Sequence, residues 1–598
     1  MLQPFWWDSP TNAARRCLSS HSAILVRRPV AGAKLNLCMV RRFAHQNAWQ
    51  NQTALTCAPS PLSGRGGAYR KMAQPISRPD QEEIVHAAAL DGAAPLESSA
   101  ALGADTLLDG VLILLVLTVL QRMVGFLREI LFCRWLDAEQ LGQWDMSFGF
   151  LMLAGPLVVL SLPGTFGRYV ERYRQQGQLR SFLRRTAVVC AAMALPAAAV
   201  VYWARPWFSQ LIFGRPDQTL LVALLGGALL AMVAFTFLTC LFTALRNMRL
   251  VSGMELVSSM IFAASGIALL CLWQCSAASV VVAYGMGCLL TSLGALWWLK
   301  RMWHTLPVSH APLPQRTFWW RLLPFTAWLL VINLLTNLFD LADRQMIIHC
   351  SSADALAEVG NYRSSRVLPL LLTTVTAMIA AVATPHLSHD WEAGRRGRVS
   401  AQMNLLLKVL AAALTTIAVA MLAIAPLLFQ VAFRGKYAGG LAVMPWTLIY
   451  CSWFGLAIVA QKYLWCAERA GRVSAALLLG LAVNVSLNLL LLPRLGLLGA
   501  VLATVAAHGV ALLLIVIMSS RLGFRVHVGT WAALLLPALV CLGAWNAALC
   551  LLIIASYVMV SDRLLSREEK RLLSEGIGRY LVKFRGWRWG RRMASKGT

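Results

Sequence analysis

Charge is what this chain has little of. Only 13% of its 598 residues are Asp, Glu, Lys or Arg, against 58% hydrophobic ones. A water-soluble globular domain carries about 25% charged and about 45–50% apolar residues. The composition therefore excludes an ordinary soluble domain, and it excludes disorder over most of the chain. Acids are scarcest: 26 Asp and Glu face 54 Lys and Arg, a net charge of +28. Such an excess ordinarily raises nucleic acid as a partner. On so apolar a chain it reads instead as the positive charge that marks the cytoplasmic face of a membrane protein, and no nucleic-acid partner is expected. The fourteen cysteines include no CxxC and no Cys/His grouping at zinc-ligand spacing, so neither disulfides nor a metal site is expected. Most lie in apolar runs, where Cys acts as a small hydrophobe. There is no G-x-x-x-x-G-K-[ST] loop and no HExxH, so neither nucleotide hydrolysis nor zinc hydrolysis is expected. No enzyme activity and no cofactor are expected. A secretory signal needs an apolar run of about 7–15 residues, and the best N-terminal candidate, 22–26, is too short.

More than half of the positive charge sits in two tails. Residues 1–71 carry a net +9 and residues 563–598 a net +8, leaving +11 for everything between. Residues 1–106 show no sustained apolar period and read as a basic, disordered tail. Two readings of residues 1–71 stay open: an Arg-rich, acid-poor organellar leader, or untranslated sequence with Met72 as the start.

From residue 107 onward, apolar stretches long enough to cross a bilayer follow one another. They fall at 107–134, 144–163, 184–204, 218–245, 252–273, 277–299, 322–349, 357–385, 402–432, 440–465, 473–492, 496–519, 530–545 and 547–561. The expectation is an all-α polytopic membrane protein of about 14 transmembrane helices, since such long apolar runs exclude a β-barrel. With the N-terminus inside, nineteen Lys and Arg fall in the even-numbered loops and five in the odd ones. That asymmetry predicts a multi-pass protein of the cytoplasmic membrane with both termini cytoplasmic.

The punctuation repeats. Leu141-Gly142-Gln143-Trp144 after span 1 matches Val359-Gly360-Asn361-Tyr362 after span 7, and three further matches follow in order at a slowly drifting offset. The pattern predicts two parallel six-helix halves, 107–300 and 322–519, then two appended helices at 530–561 and a basic cytoplasmic tail at 562–598. Transporters built of parallel repeats bind substrate between the halves and alternate access by rocking.

Ionisable groups inside hydrocarbon are costly and point to function. In span 7, Asn333, Asn337, Asp340 and Arg344 form one helical stripe, with Asp343 beside it. Span 1 carries Gln121, Arg122, Gly125, Arg128 and Glu129 mostly on one face; span 8 carries Arg363 and Arg366; span 11 carries Asn484 and Asn488 one turn apart. Arg122, Arg128, Glu129, Asn333, Asn337, Asp340, Arg344, Arg363, Arg366, Asn484 and Asn488 are the candidate lining of a cationic cavity. Arginine suits it because its planar fork matches phosphate. Asp340 or Asp343 is the candidate for ion coupling. The alternative is plain ion pairing: Arg128 with Glu129 or Asp145, and Asp340 or Asp343 with Arg344, Arg363 or Arg366. Lys408, Lys462 and His508 are further candidates, with Lys462 and Arg398 expected at the cytoplasmic interface.

Several stretches carry a family pattern: QRMVGFLREILFCRWLDAEQLGQWDMSF, FGRYVERYRQQGQ, NLFDLADRQMII, VGNYRSSRVLPLLLTTVTAMIAAVATPHLS, FRGKYAGG and NVSLNLLLLPRLGLLGAVLAT. Over 107–525 the chain resembles the polysaccharide-biosynthesis flippases of the multidrug/oligosaccharidyl-lipid/polysaccharide exporter superfamily. The resemblance implies movement of a polyprenyl-pyrophosphate-linked oligosaccharide from the cytoplasmic to the outer leaflet, coupled to an ion gradient (H⁺ or Na⁺). It implies pyrophosphate binding by arginines at the positions of Arg122, Arg128, Arg344, Arg363 and Arg366. Flipping a peptidoglycan lipid precursor, and cation-coupled multidrug export, are the alternatives within the superfamily. Membrane lipids are the remaining expected partners. The start of the chain is directly testable: N-terminal peptide mass spectrometry that finds peptides upstream of Met72 excludes the internal start.

Overall fold

The computed structural model describes residues 104–305, 315–350, 354–571 and 574, and the expectations for residues 1–103 and for the tail beyond 574 lie outside the described residues. Residues 97–598 form one compact unit. Among the described residues there is no strand, because a chain this apolar satisfies its backbone polar groups within each segment, as helices do. The helices are α1 (Ala104–Trp135), α2 (Ala138–Val158), α3 (Phe166–Gln175), α4 (Leu179–Trp203), α5 (Arg205–Phe213), α6 (Thr219–Ala244), α7 (Met248–Leu272), α8 (Ala277–Met302), α9 (Gln315–Cys350), α10 (Ala355–Arg366), α11 (Pro369–Glu392), α12 (Arg396–Leu427), α13 (Ala438–Cys466), α14 (Ala470–Leu495), α15 (Leu497–Ser520), α16 (Val528–Leu535) and α17 (Ala544–Val560).

All fourteen predicted spans fall on helices, but fewer are full-length. Among the described residues, ten helices are long and apolar enough to cross a membrane, or eleven if the bent second span counts as one. The C-terminal pair, Val528–Leu542 and Ala544–Val560, are shorter and are divided at Gly543, whose φ of +87° a side chain would resist.

Two spans read as continuous are broken. Span 2 bends by 62° between α2 and the segment Leu162–Gln175, where Leu160 and Ser161 adopt positive φ. The stretch expected as a basic loop continues as α3 because it is amphipathic: Phe166, Tyr169, Val170 and Tyr173 are buried at helical spacing while its arginines lie on the other side. Span 8 breaks between α10 and α11 at Pro369. Proline has no N–H and excludes the carbonyl four residues earlier from the helix ladder. That carbonyl, on Ser365, instead accepts a hydrogen bond from Thr447 Oγ1 at 3.1 Å.

Contacts sort the helix ends into two groups, as full crossings require. At the basic end, Arg180 donates to the His304 carbonyl at 2.7 Å and Asn404 to the Arg525 carbonyl at 2.8 Å. At the opposite end, Arg215 pairs with Glu139 at 3.0 Å, Lys436 pairs with Asp137 at 2.9 Å, and the Ala277 N–H donates to Gln140 at 2.8 Å. Helices α1–α8 pack among themselves, and α9–α17 do likewise. The main seam between these two sets is α2 against α10, with α9 also resting on α2.

Glycine makes this seam. A Cβ on Gly142 would overlap the Leu356 carbonyl, and a Cβ on Gly360 would overlap the Ala138 carbonyl. The two contacts are reciprocal, and their residues are the ones that the sequence repeat aligns. Gly142→Ala and Gly360→Ala are each expected to lower stability by about 1–3 kcal/mol or more. Gly227→Ala, which meets nothing within 4 Å, is expected to be neutral. Thermal unfolding in detergent checks both.

Candidate functional site

The seam carries a chain of alternating charges. Arg128 Nη2 lies 3.4 Å from Glu129. Arg363 reaches Glu129 with one nitrogen at 2.9 Å and Asp145 with another at 2.8 Å. Arg344 Nε lies 3.3 Å from Asp145, and its Nη2 pairs with Asp340. Arg366 closes the row on Asp340 at 2.8 Å. Four guanidinium groups thus alternate with three carboxylates, passing from α1 to α10, to α2, to α9 and back to α10. The planar fork of arginine allows this, since one side chain serves two carboxylates in fixed directions. Asp145 is fully buried, and Arg344 is 2% exposed. Inside a bilayer such charges persist only when paired.

Asp343 stands apart from the row and is held by uncharged donors. Asn484 and Asn488 donate to its Oδ1 at 2.7 and 2.9 Å. Thr504 and Tyr362 donate to its Oδ2 at 2.5 and 3.3 Å. Asn488 Oδ1 is buried beside it without a hydrogen-bond partner among the described residues.

Two cavities flank the seam. The first, about 430 Å³, lies mainly in the α1–α8 set, with α10 and α11 closing one side, and is lined by Arg122, Arg128, Glu129, Trp144, Glu255, Phe262, Tyr284 and Arg363, among others. Three arginines there face two glutamates. The Arg128 guanidinium stacks 4.1 Å from the Phe262 ring centroid, and its Nε is buried without a hydrogen-bond partner. Arg122 is exposed on the same wall. The second cavity, about 510 Å³, lies in the other set and is lined by Asn337, Asp340, Asp343, Tyr362, Arg366, Tyr450, Phe454, Thr504 and His508, among others. There one arginine faces two aspartates. The Asp340 side chain is 61% exposed into this space while both of its arginine partners are buried. Arg366 Nε and Nη1 have no hydrogen-bond partner among the described residues.

The expected single cationic cavity is therefore two cavities of opposite balance, joined by ion pairs. The pairings Arg128–Glu129 and Asp340 with Arg344 and Arg366 were the alternative reading of these residues. That reading left Asp340 or Asp343 as the partner of an arginine; Asp343 meets none at ion-pair distance among the described residues. Asn333 lies away from both cavities and donates to Ser161 Oγ at 3.2 Å, fastening α9 to the bend in span 2. Asn337 donates to the Asn333 carbonyl. His508 lines the second cavity with its ring against Phe339, Tyr450 and Phe454.

Lys408 is remote from both cavities. It is buried against Glu569 at 2.8 Å and ties α12 to the segment after α17. Burial pushes the Glu569 carboxyl up, but hydrogen bonds from Lys408 and from the Ser566 N–H outweigh it and hold the group below its ordinary value. Lys462 lies 3.8 Å from the Trp465 ring centroid, and Arg398 lies 3.7 Å from Asp390, both near helix ends.

Asp145, Glu255, Tyr362, Tyr450 and Thr504 were not among the expected lining. Asp145 was legible as the repeat mate of Arg363, which it contacts across a separation of 218 residues. Glu255 was legible as a lone acid in an apolar span. The hydroxyl residues carry no such signal.

Residues 107–391 match the family model described as polysaccharide biosynthesis protein. The fold is similar to that of the lipid II flippase MurJ in its inward closed conformation, with a TM-score of 0.59 at 13% identity over 75% of this chain and 99% of that one. It is also similar to a multidrug resistance MATE family transporter of the MOP superfamily in its outward-facing conformation, with a TM-score of 0.50 at 12% identity over 70% of this chain and 94% of that one. No curated protein matches the sequence.

Arg363 is the ladder's central link. Arg363→Gln leaves Glu129 and Asp145 short of a counter-charge, with an expected loss of about 3–5 kcal/mol in stability. Arg363→Lys is expected to lose less, because a single ammonium keeps one contact of two. Combining Arg363→Gln with Asp145→Asn is expected to cost less than the sum of the singles, by about 0.5–3 kcal/mol. Thermal or denaturant unfolding in detergent reads all three.

Proposed function

We infer that the chain belongs to the polysaccharide biosynthesis family of the multidrug/oligosaccharidyl-lipid/polysaccharide exporter superfamily, a reading supported by the family-model match over residues 107–391 and by the fold. It is a membrane flippase or exporter rather than an enzyme. From that premise we propose that it moves a polyprenyl-pyrophosphate-linked oligosaccharide from the cytoplasmic to the outer leaflet of the cytoplasmic membrane by alternating access. The two helix sets are read as duplicated halves, with both termini on the basic, cytoplasmic side.

One observation carries the reading: the cavity of the α1–α8 set has more arginines than acids, and one of them offers an N–H with no partner. A pyrophosphate is the group that such a wall holds best, because it accepts several charge-assisted hydrogen bonds at once. Arg122 and Arg128 meet it from α1, and Arg363 closes the wall at the seam.

The second cavity supplies the coupling ion in this reading. Asp343 is a buried carboxylate with neutral neighbours at hydrogen-bond distance. With no cation at ion-pair distance among the described residues, its negative charge is the one in this cavity left to attract a coupling cation. Asp340 is clamped between two guanidinium groups, so the coupling role narrows to Asp343.

A second reading, export of an organic cation, draws on the same cavity. Asp340 there faces Tyr450, Phe454 and Trp465, a combination of carboxylate and rings that attracts positive charge.

The test is leaflet translocation of a fluorescent polyprenyl-pyrophosphate sugar in vesicles. Arg122→Gln and Arg128→Gln are expected to slow it by about tenfold or more. Asp343→Asn is expected to remove its dependence on an imposed sodium or proton gradient. Wild-type rates in both arginine variants would remove the pyrophosphate assignment. Failure of the wild type on any such lipid, with efflux of ethidium instead, would replace the first reading by the second.

A further inference from the structure

Away from the seam, a third cavity of about 410 Å³ lies between the first turns of α4 and the start of α9, at the basic end. Its walls are Ser181, Arg184, Arg185, Val188, Val189 and Trp319. The first five are spaced i, i+3, i+4, i+7 and i+8, so they share one face of α4. That face is graded along the helix. The hydroxyl and the two guanidinium groups come first, and the valines follow one turn deeper. Val188 is 59% exposed, and Leu195, two turns further on, is 60% exposed.

No acid among the described residues lines this cavity. Arg184 is exposed, with no ion pair among the described residues. The Arg185 guanidinium sits 5.8 Å from the Phe318 ring centroid, and its Nη1 is buried without a hydrogen-bond partner among the described residues. A buried cationic donor in that state calls for an anion.

We propose that this cavity binds the phosphodiester headgroup of an anionic membrane phospholipid. The phosphate meets Ser181, Arg184 and Arg185, the acyl chains run over Val188 and Val189, and Trp319 stands at the headgroup level. Basic pockets between helices on the cytoplasmic side suit anionic headgroups, and tryptophan suits the interface. A free phosphate would use the arginines but leave the apolar wall uncovered, so the amphiphile is the better fit. The site needs nothing from the seam or from the substrate cavities, and it holds whichever transport reading is right. It has a consequence for them all the same. The lipid touches α4 of one helix set and α9 of the other, beside the Arg180–His304 contact, so it bridges the sets where they would slide.

Native mass spectrometry of the full chain in detergent, with phosphatidylglycerol or phosphatidylcholine added, tests the proposal. Wild type is expected to retain one phosphatidylglycerol beyond the number of phosphatidylcholines it keeps. Arg184→Gln and Ser181→Glu are each expected to weaken that retention about fivefold or more. Both positions are exposed, so both variants are expected to melt like wild type without added lipid; if Arg184→Gln does not, Ser181→Glu decides. Equal retention of the two lipids, or unchanged retention in a well-folded variant, overturns the site. Stabilisation by inorganic phosphate as large as that by phosphatidylglycerol overturns the lipid as its occupant.

Discussion

The structure depends on one constraint: charges that cross the seam between two helix sets must stay paired in a medium that does not solvate them. Asp145 and Arg363 sit at the centre of that seam, 2.8 Å apart. Each also holds a second partner, which extends the pair into a row running from Arg128 to Arg366. An unpaired member would cost several kcal/mol in hydrocarbon. The row therefore acts as a registration device, since sliding α2 along α10 by one turn would leave Asp145 and Arg363 without each other. The glycines beside them serve the same end. Gly142 and Gly360 let the two backbones approach until side chains of opposite charge meet directly, a common use of small residues between helices in membranes.

On the proposed reading, alternating access has to work around this device. If the two sets separated widely along α2 and α10, the row would open and its charges would face lipid or water in turn. A rocking motion that pivots at the glycine contact avoids this, because atoms near a pivot move least. On that argument the cavities to either side open and close while the central pairs persist. Arg344 Nε at the centre also lacks a hydrogen-bond partner among the described residues, as do nitrogen atoms of Arg128 and Arg366, but only the latter two line the cavities, so they can exchange protein contacts for ligand contacts without breaking the centre. Structural and ligand-binding roles are thus graded along one row of charges.

Much of this was legible in sequence, for identifiable reasons. Helix positions followed from apolar run length, which the bilayer sets. The polar stripe of Asn333, Asn337, Asp340 and Arg344 followed from helical spacing, whereas the match of Gly142 with Gly360 showed a repeat and only the structure placed both glycines at the seam. The breaks were harder. Pro369 sits inside an apolar run, and only the tertiary donor Thr447 makes a break there tolerable. The bend after α2 requires positive φ at Leu160 and Ser161, which neither residue type favours and which Asn333 supports from a helix far away in sequence. The split into two cavities was invisible for a related reason. Counting arginines along spans registers their charge but not their partners, and the partners lie on other helices.

If the chain carries a pyrophosphate-linked lipid and couples to a cation, as proposed, the two cavities explain why both signs of charge are needed. A lone cationic cavity would hold a pyrophosphate but give a coupling cation nowhere to act. A lone acidic one would attract the cation and repel the phosphate. Here the sign changes across the seam: three arginines face two glutamates on one side, and two aspartates face one arginine on the other. Asp343 lies outside the charge row but lines the same cavity as its end members, so neutralising it alters the field at Asp340 and Arg366 through space, and through their pairs at Arg344 and Asp145. Coupling between ion and substrate then needs no long-range change of fold. It needs only that both sites border one chain of ion pairs in a medium of low dielectric, where electrostatic terms reach further than they do in water.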